Sequence, residues 1–168
     1  MQELENITSA VCEALTEGGI SAAVCEFPDG EMKRYTHPVV AVGIKSGSGI
    51  AAGFAEYMGE TTDPETQERV ELFGKRLEVT LLLGIYSPKG AVYGAGGCID
   101  TFAKIAEALC YMPSGLRIRE ITCGETGFDT ATGMFLCRAE MKCSAFMYAL
   151  RESEEEFLSF TLRGTAIG

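Results

Sequence analysis

The chain contains no tryptophan, a single histidine (His37) and only 5 prolines among 168 residues. A metal at His37 would have to recruit scattered cysteines or carboxylates, because no ligand pair at helical spacing accompanies it. Long apolar runs are also missing. The best, Val79 to Tyr86, is strand-sized and far short of the ~18 residues that cross a bilayer. Basic charge is scarce: 14 Lys and Arg stand against 24 Asp and Glu, a net charge of −10 and a pI near 4.6. That balance excludes nucleic-acid binding driven by phosphate contacts and repels anionic membrane surfaces. The 7 cysteines contain no CxxC unit, the nearest pair being Cys137 and Cys143, so neither a zinc knuckle nor a dithiol redox motif is written here. They read as small core hydrophobes of a reducing compartment. The N-terminus, Met1-Gln2-Glu3-Leu4-Glu5, lacks a basic region and a cleavage site, which fits a cytosolic chain.

What is present is ordinary globular composition, 46% hydrophobic and 23% charged, at a length suited to one domain. Leu4, Ile7, Val11, Ala14 and Leu15 recur at helical spacing and predict a helix over 4–17, stopped by Gly18-Gly19. Strands are expected at Ile20–Phe27, closed by Pro28-Asp29-Gly30, and at Val39–Ile44. Residues 45–71 lose any period. They carry Gly47, Gly49, Gly53 and Gly59, then Glu56, Glu60, Asp63, Glu65, Glu68 and Glu71, and read as one long loop, far beyond the usual ~4–6 residues. Lys75–Tyr86 alternates, with Leu77, Val79, Leu81, Leu83 and Ile85 on one face and Arg76, Glu78 and Thr80 on the other. A second helix is expected over Cys98–Met112, with Ile99, Phe102, Ala106, Leu109 and Cys110 as its apolar stripe. Strands follow at Leu116–Cys123, Phe135–Leu150 and, after the acidic turn Glu152–Glu155, Glu156–Leu162. In the longest, Phe135, Cys137, Ala139, Met141 and Cys143 face one way and Arg138, Glu140 and Lys142 the other. The order α-β-β-(long loop)-β-α-β-β-β implies an α+β domain, a mainly antiparallel sheet with two helices on one face.

Sites of chemistry are weak. Gly47-Ser48-Gly49-Ile50-Ala51-Ala52-Gly53 is spaced GxGxxxG and runs into acidic sequence, so it does not read as a dinucleotide turn. Gly94-Ala95-Gly96-Gly97 precedes a helix and would cradle an anion through free N–H groups, but no Gly-Lys-Ser/Thr follows, as a P-loop requires. His37 reads as a surface residue, and the run Glu152, Glu154, Glu155 and Glu156 as a solvated turn guarding a sheet edge. No catalytic residue, cofactor or metal is expected. Ile50, Phe54, Tyr57 and Met58, in contrast, place apolar side chains in a segment with little core of its own, and stand as candidate assembly contacts.

The strand Phe73-Gly74-Lys75-Arg76-Leu77-Glu78-Val79-Thr80 leading to Ile85-Tyr86-Ser87-Pro88 carries a resemblance. So do Ile121-Thr122-Cys123-Gly124-Glu125-Thr126, the segment with Asp129 and Gly133-Met134-Phe135, and the ending Phe160-Thr161-Leu162-Arg163-Gly164. These strings cover about half the chain, and the chain resembles proteins of tailed-phage and prophage morphogenesis clusters in Gram-positive bacteria. The α+β order is similar to that of tail-terminator and head–tail joining proteins. The resemblance implies a non-catalytic virion structural protein. It would form a homo-oligomeric ring, commonly a hexamer, against tail-tube or neck proteins. Its place would be the host cytoplasm during assembly, then the tail or neck of the virion. No residue role carries over from it. Two other readings stand beside this one: a cytosolic small-ligand-binding or enzyme domain using the Gly94–Gly97 loop, and a monomeric assembly adaptor.

Overall fold

A computed structural model describes residues 2–24, 35–51, 53–110, 116–150 and 161–162. The elements run α1 (Gln2–Glu17), β1 (Ala23–Val24), β2 (Val39–Ala51), a 3₁₀ turn (Phe54–Glu56), β3 (Tyr57–Thr62), β4 (Arg69–Ser87), α2 (Gly96–Leu109), β5 (Arg117–Asp129), β6 (Met134–Leu150) and β7 (Thr161–Leu162). One sheet holds every strand in the order β1-β2-β4-β6-β5, with β3 beside the first part of β4 and β7 beside β6. Among the described strands only β1 and β2 run parallel; the other neighbours are antiparallel. The fold is α+β, with both helices on one face of the sheet.

The alternation in β4 builds that face. Val79, Leu81, Leu83 and Ile85 are buried against Val40 and Val42 of β2 on one side and Cys137, Ala139, Met141 and Cys143 of β6 on the other. Ile7, Val11 and Leu15 of α1 and Cys98, Ile105 and Leu109 of α2 close the core over them. The small side chains of β6 leave room for the helices, which also lie close to each other: a Cβ on Gly18 would sit 2.3 Å from Cβ of Ala108. Gly19, at φ +86°, ends α1 in the left-handed conformation, and Ile20 then donates its N–H back to Leu15 O at 3.0 Å. A smaller cluster on the opposite face, Val39, Ala41, Tyr86 and Met134, seals one end of the sheet only.

Three expectations are corrected. The long loop at 45–71 is mostly sheet. β2 continues through Ala51 paired with β4, and Tyr57–Thr62 forms β3 against Arg69–Phe73, leaving only short turns. The segment shows no apolar period because these strands lie beyond the helices, and nearly every side chain of β2 after Gly43 is exposed. Backbone hydrogen bonds, which need no particular side chain, hold it. The buried stripe of α2 is Cys98, Thr101, Ile105 and Leu109, while Ile99 is 57% exposed and Cys110 lies at the surface. Thr101 tolerates burial because its hydroxyl donates to Gly97 O at 2.7 Å. β5 runs on past Cys123 to Asp129, across a bulge between Cys123 and Thr126. The turn at Pro28-Asp29-Gly30, the end of the expected strand Ile20–Phe27 and the acidic run from Glu152 lie outside the described residues, as does most of the expected strand Glu156–Leu162. No described helix is long and apolar enough to cross a membrane.

Candidate functional site

The sheet is longer than the helices that cover it. Burial in β4 falls between Val79 and Ser87, whereas Arg69–Glu78 is partly or fully exposed; β2 is buried only over Val39–Val42. What projects beyond the core is an arm of strands, β2 beyond Ile44, β3 and the first half of β4, flanked by the end of β6. The four candidate assembly residues all lie on it. Phe54, in the 3₁₀ turn, is 96% exposed, Ile50 is 39% and Tyr57 41% exposed, and Met58 is half-buried. They do not share one face. Ile50 is opposite Arg76 in the ladder, on the face away from the helices. Tyr57 is opposite Phe73, with their rings edge-on at 5.6 Å, on the helix side.

The face away from the helices carries a charge network that periodicity alone only hinted at. Glu78 is shared by Arg76 (2.8 Å) and Arg119 (3.2 Å). Lys142 bonds Glu120 at 2.7 Å and so holds its proton more tightly than an ordinary lysine. Lys45 pairs with Glu140. Arg117, opposite Ser144, makes no ion pair to any described residue. The visible signal was the alternation of Arg76 and Glu78 in β4 and of Arg138, Glu140 and Lys142 in β6. The partners from β2 and β5 depend on the strand order, which no local pattern specifies.

A second feature sits at the other end of the sheet. A cleft of about 160 Å³ is lined by Ile20, Pro38, Tyr93, Gly97, Asp100 and Lys104, among others. His37, next to Pro38, is exposed as expected, but its Nδ1 is 2.7 Å from the Tyr93 hydroxyl, and the two rings meet edge-on at 5.8 Å. Gly94 and Gly97 spend their amides within the loop rather than on an anion. Gly94 N–H donates to Pro88 O (3.1 Å), Gly97 N–H to Tyr93 O (2.9 Å) and Cys98 N–H to Ala95 O (3.2 Å). Gly97 is needed for close approach: a Cβ there would meet Ser87 Oγ at 2.3 Å, and that hydroxyl donates to Gly94 O at 2.7 Å. The glycines of 47–53 do not turn around a cofactor either, since Gly47 and Gly49 are ladder residues opposite Val79 and Leu77.

The third feature is a group of thiols. Cys123 of β5 and Cys137 of β6 touch through sulfur, and Cys98 of α2 reaches the carbonyl oxygens of Ile85 (3.5 Å) and Phe135 (3.6 Å). Burial raises the Cys98 thiol to about 11, with Cys137 adding to the effect. Protonated thiols are poor nucleophiles and poor metal ligands. Among the described residues no group of His, Cys, Asp and Glu is arranged to hold a metal ion.

No protein-family model matches the chain, and no curated protein matches it.

Proposed function

We propose that this chain is a virion structural protein of a phage or prophage. It is of the tail-terminator or head–tail connector type and acts without catalysis as one subunit of a homo-oligomeric ring. One observation carries the reading: the arm of strands outruns its helices and holds Phe54, in the turn between β2 and β3, almost wholly in solvent. An isolated domain gains nothing from strands that bury neither face, whereas a subunit that packs against copies of itself or against a tail-tube or neck protein does. The long outer edge of β5 is a further place for a neighbour to add. The sequence resemblance points the same way. Multi-angle light scattering over a range of concentrations tests it. The expected result is a discrete species larger than the monomer, at high concentration or on adding tail-tube protein. A strict monomer under both conditions overturns the ring and favours the adaptor.

The cleft beside His37 and Tyr93 favours a second reading, a small-ligand domain. Asp100 and Lys104 would there meet a molecule bearing both charges, inside a volume of about 160 Å³. The glycine loop's committed amides argue against a phosphate ligand. Thermal melts with free amino acids, small zwitterions that carry both charges, separate the readings. A ligand at ~100 times its dissociation constant adds about 2.7 kcal/mol, so flat melts are expected of the ring subunit and a reproducible rise of the ligand domain.

A further inference from the structure

The protein is acidic overall, yet its charges are sorted along β4. On the sheet face away from the helices, Lys45, Arg76, Arg117, Arg119, Arg138 and Lys142 stand with four carboxylates, Glu78, Glu120, Asp129 and Glu140. The hairpin joining β3 to β4 has the reverse bias. Glu60, Asp63, Glu65, Glu68 and Glu71 stand there with Arg69 alone, which lies 3.6 Å from Glu60. Among the described residues no cation pairs with Asp63, Glu65, Glu68 or Glu71. The turn itself is well formed: Asp63 Oδ1 accepts the N–H of Glu65 at 2.7 Å, and Asp63 N–H donates to Glu68 O at 2.9 Å.

These two regions cannot neutralise each other within one chain. They lie on one continuous strand. From Glu71 to Arg76, their nearest members along β4, the backbone spans about 17 Å at roughly 3.3 Å per residue. Screening at physiological salt acts within about 8 Å. Complementary surfaces held apart by a stiff strand can meet only between molecules. Where each copy gives its hairpin to one neighbour and its face to another, the contact is heterologous, the kind that closes into rings when its rotation closes.

We propose that the acidic β3–β4 hairpin of one copy docks on the cationic sheet face of the next, a head-to-tail contact between copies of this chain. The proposal rests on the homo-oligomer reading and adds which surfaces meet. Interfacial charge of this kind fixes register and partner orientation, and like charges placed together suppress the contact.

Paired charge reversals in the full chain test it. One variant carries Glu65→Lys, Glu68→Lys and Glu71→Lys; the other carries Arg117→Glu and Arg119→Glu. A milder Arg117→Ser, Arg119→Ser variant covers the case in which the acidic pair beside Glu78 impairs folding, with circular dichroism as the check. Sedimentation velocity reads the association. Each reversed variant alone should self-associate roughly tenfold or more weakly than the parent, and the serine variant less severely. An equimolar mixture of the two reversed variants should recover assembly, since each then presents a tip matched to the other's face. Raised salt should weaken the parent and the mixture alike. Association unchanged in both single variants overturns the proposal while leaving the ring reading intact. A parent that never associates, with or without tube protein, overturns both. If reversing Glu152, Glu154, Glu155 and Glu156 abolishes assembly while reversing the hairpin does not, the face is served by that acidic run, and the proposal is wrong.

Discussion

The sulfur of Cys123 lies 2.9 Å from the sulfur of Cys137, across the β5–β6 ladder, with both residues present as free thiols. Cys137 is fully buried and also reaches Gly124 O at 3.4 Å. Cys123 belongs to an exposed edge strand, but its sulfur is turned toward this neighbour. Burial of that sulfur, the bond with Cys137 and the proximity of Cys137 and Cys98 push it up to about 12. A surface cysteine is thereby made a weaker nucleophile.

Among the described cysteines, alkylation of the folded protein at pH 8 should therefore modify Cys110 first, since it is exposed at the C-terminal end of α2. Cys123 should lag behind it despite its place on the edge. Cys98, Cys137 and Cys143 should react only as the protein unfolds. Peptide mapping after timed quenching reads the order. Cys123 reacting as fast as Cys110 contradicts it.

Alkaline pH should destabilise the fold. Burial raises Cys98 and Cys143 each from 9.0 to about 11. Between those values the unfolded chain releases protons that the folded chain keeps, so stability falls as pH rises through about 9 to 11. Urea midpoints by circular dichroism at pH 8, 9 and 10 should decline. Cys143→Ala should start lower because of the cavity it leaves, but with a shallower decline. Identical slopes in the two proteins remove Cys143 as a cause.

The turn between β5 and β6 depends on Asp129. Its carboxylate accepts the Thr132 hydroxyl at 2.6 Å and the N–H groups of Thr132 and Ala131 at 3.3 Å. The Thr132 hydroxyl is the chief reason its carboxyl is held below the usual range, burial opposing it slightly. Replacing Asp129 by Ala should cost about 1 kcal/mol at pH 7. A depressed carboxylate stabilises above its unfolded value and loses that contribution as pH falls through the folded one. The difference between parent and variant should accordingly shrink below about pH 4. A constant difference down to pH 2 would mean the charge is not what matters.

Stability and assembly should separate cleanly between core and arm. Leu83, fully buried between β2 and β6, should lose about 2–5 kcal/mol on change to Ala, read from the denaturation midpoint. Phe54→Ala should leave the midpoint within about 0.5 kcal/mol and lower the fraction of oligomer seen by light scattering. A large loss of monomer stability from Phe54→Ala contradicts its place in solvent.

Local sequence determined the parts whose side chains are sorted by burial. The α1 stripe, the two faces of β4 and β6, the thiols placed in the core at Cys137 and Cys143, and the α+β class all follow from the period of apolar residues. That signal reports water exclusion and nothing else. Where strands are wet on both faces, as in β2 beyond Ile44 and in β3, it vanishes although the ladder continues, so Lys45 to Glu71 read as loop. In α2 it placed Leu109 and Phe102 toward the core but also Ile99 and Cys110, which are exposed, and it passed over Thr101, whose burial rests on its own hydrogen bond. The pairs that define the candidate sites, Cys123 with Cys137, His37 with Tyr93 and Glu78 with Arg119, join residues from different elements. Their meeting depends on strand order and on bulges that shift the register, at Ile44/Ser46, Ile118/Glu120 and Cys123/Thr126. Only the assembled sheet decides these, because one inserted residue reverses the face on which every later side chain lies.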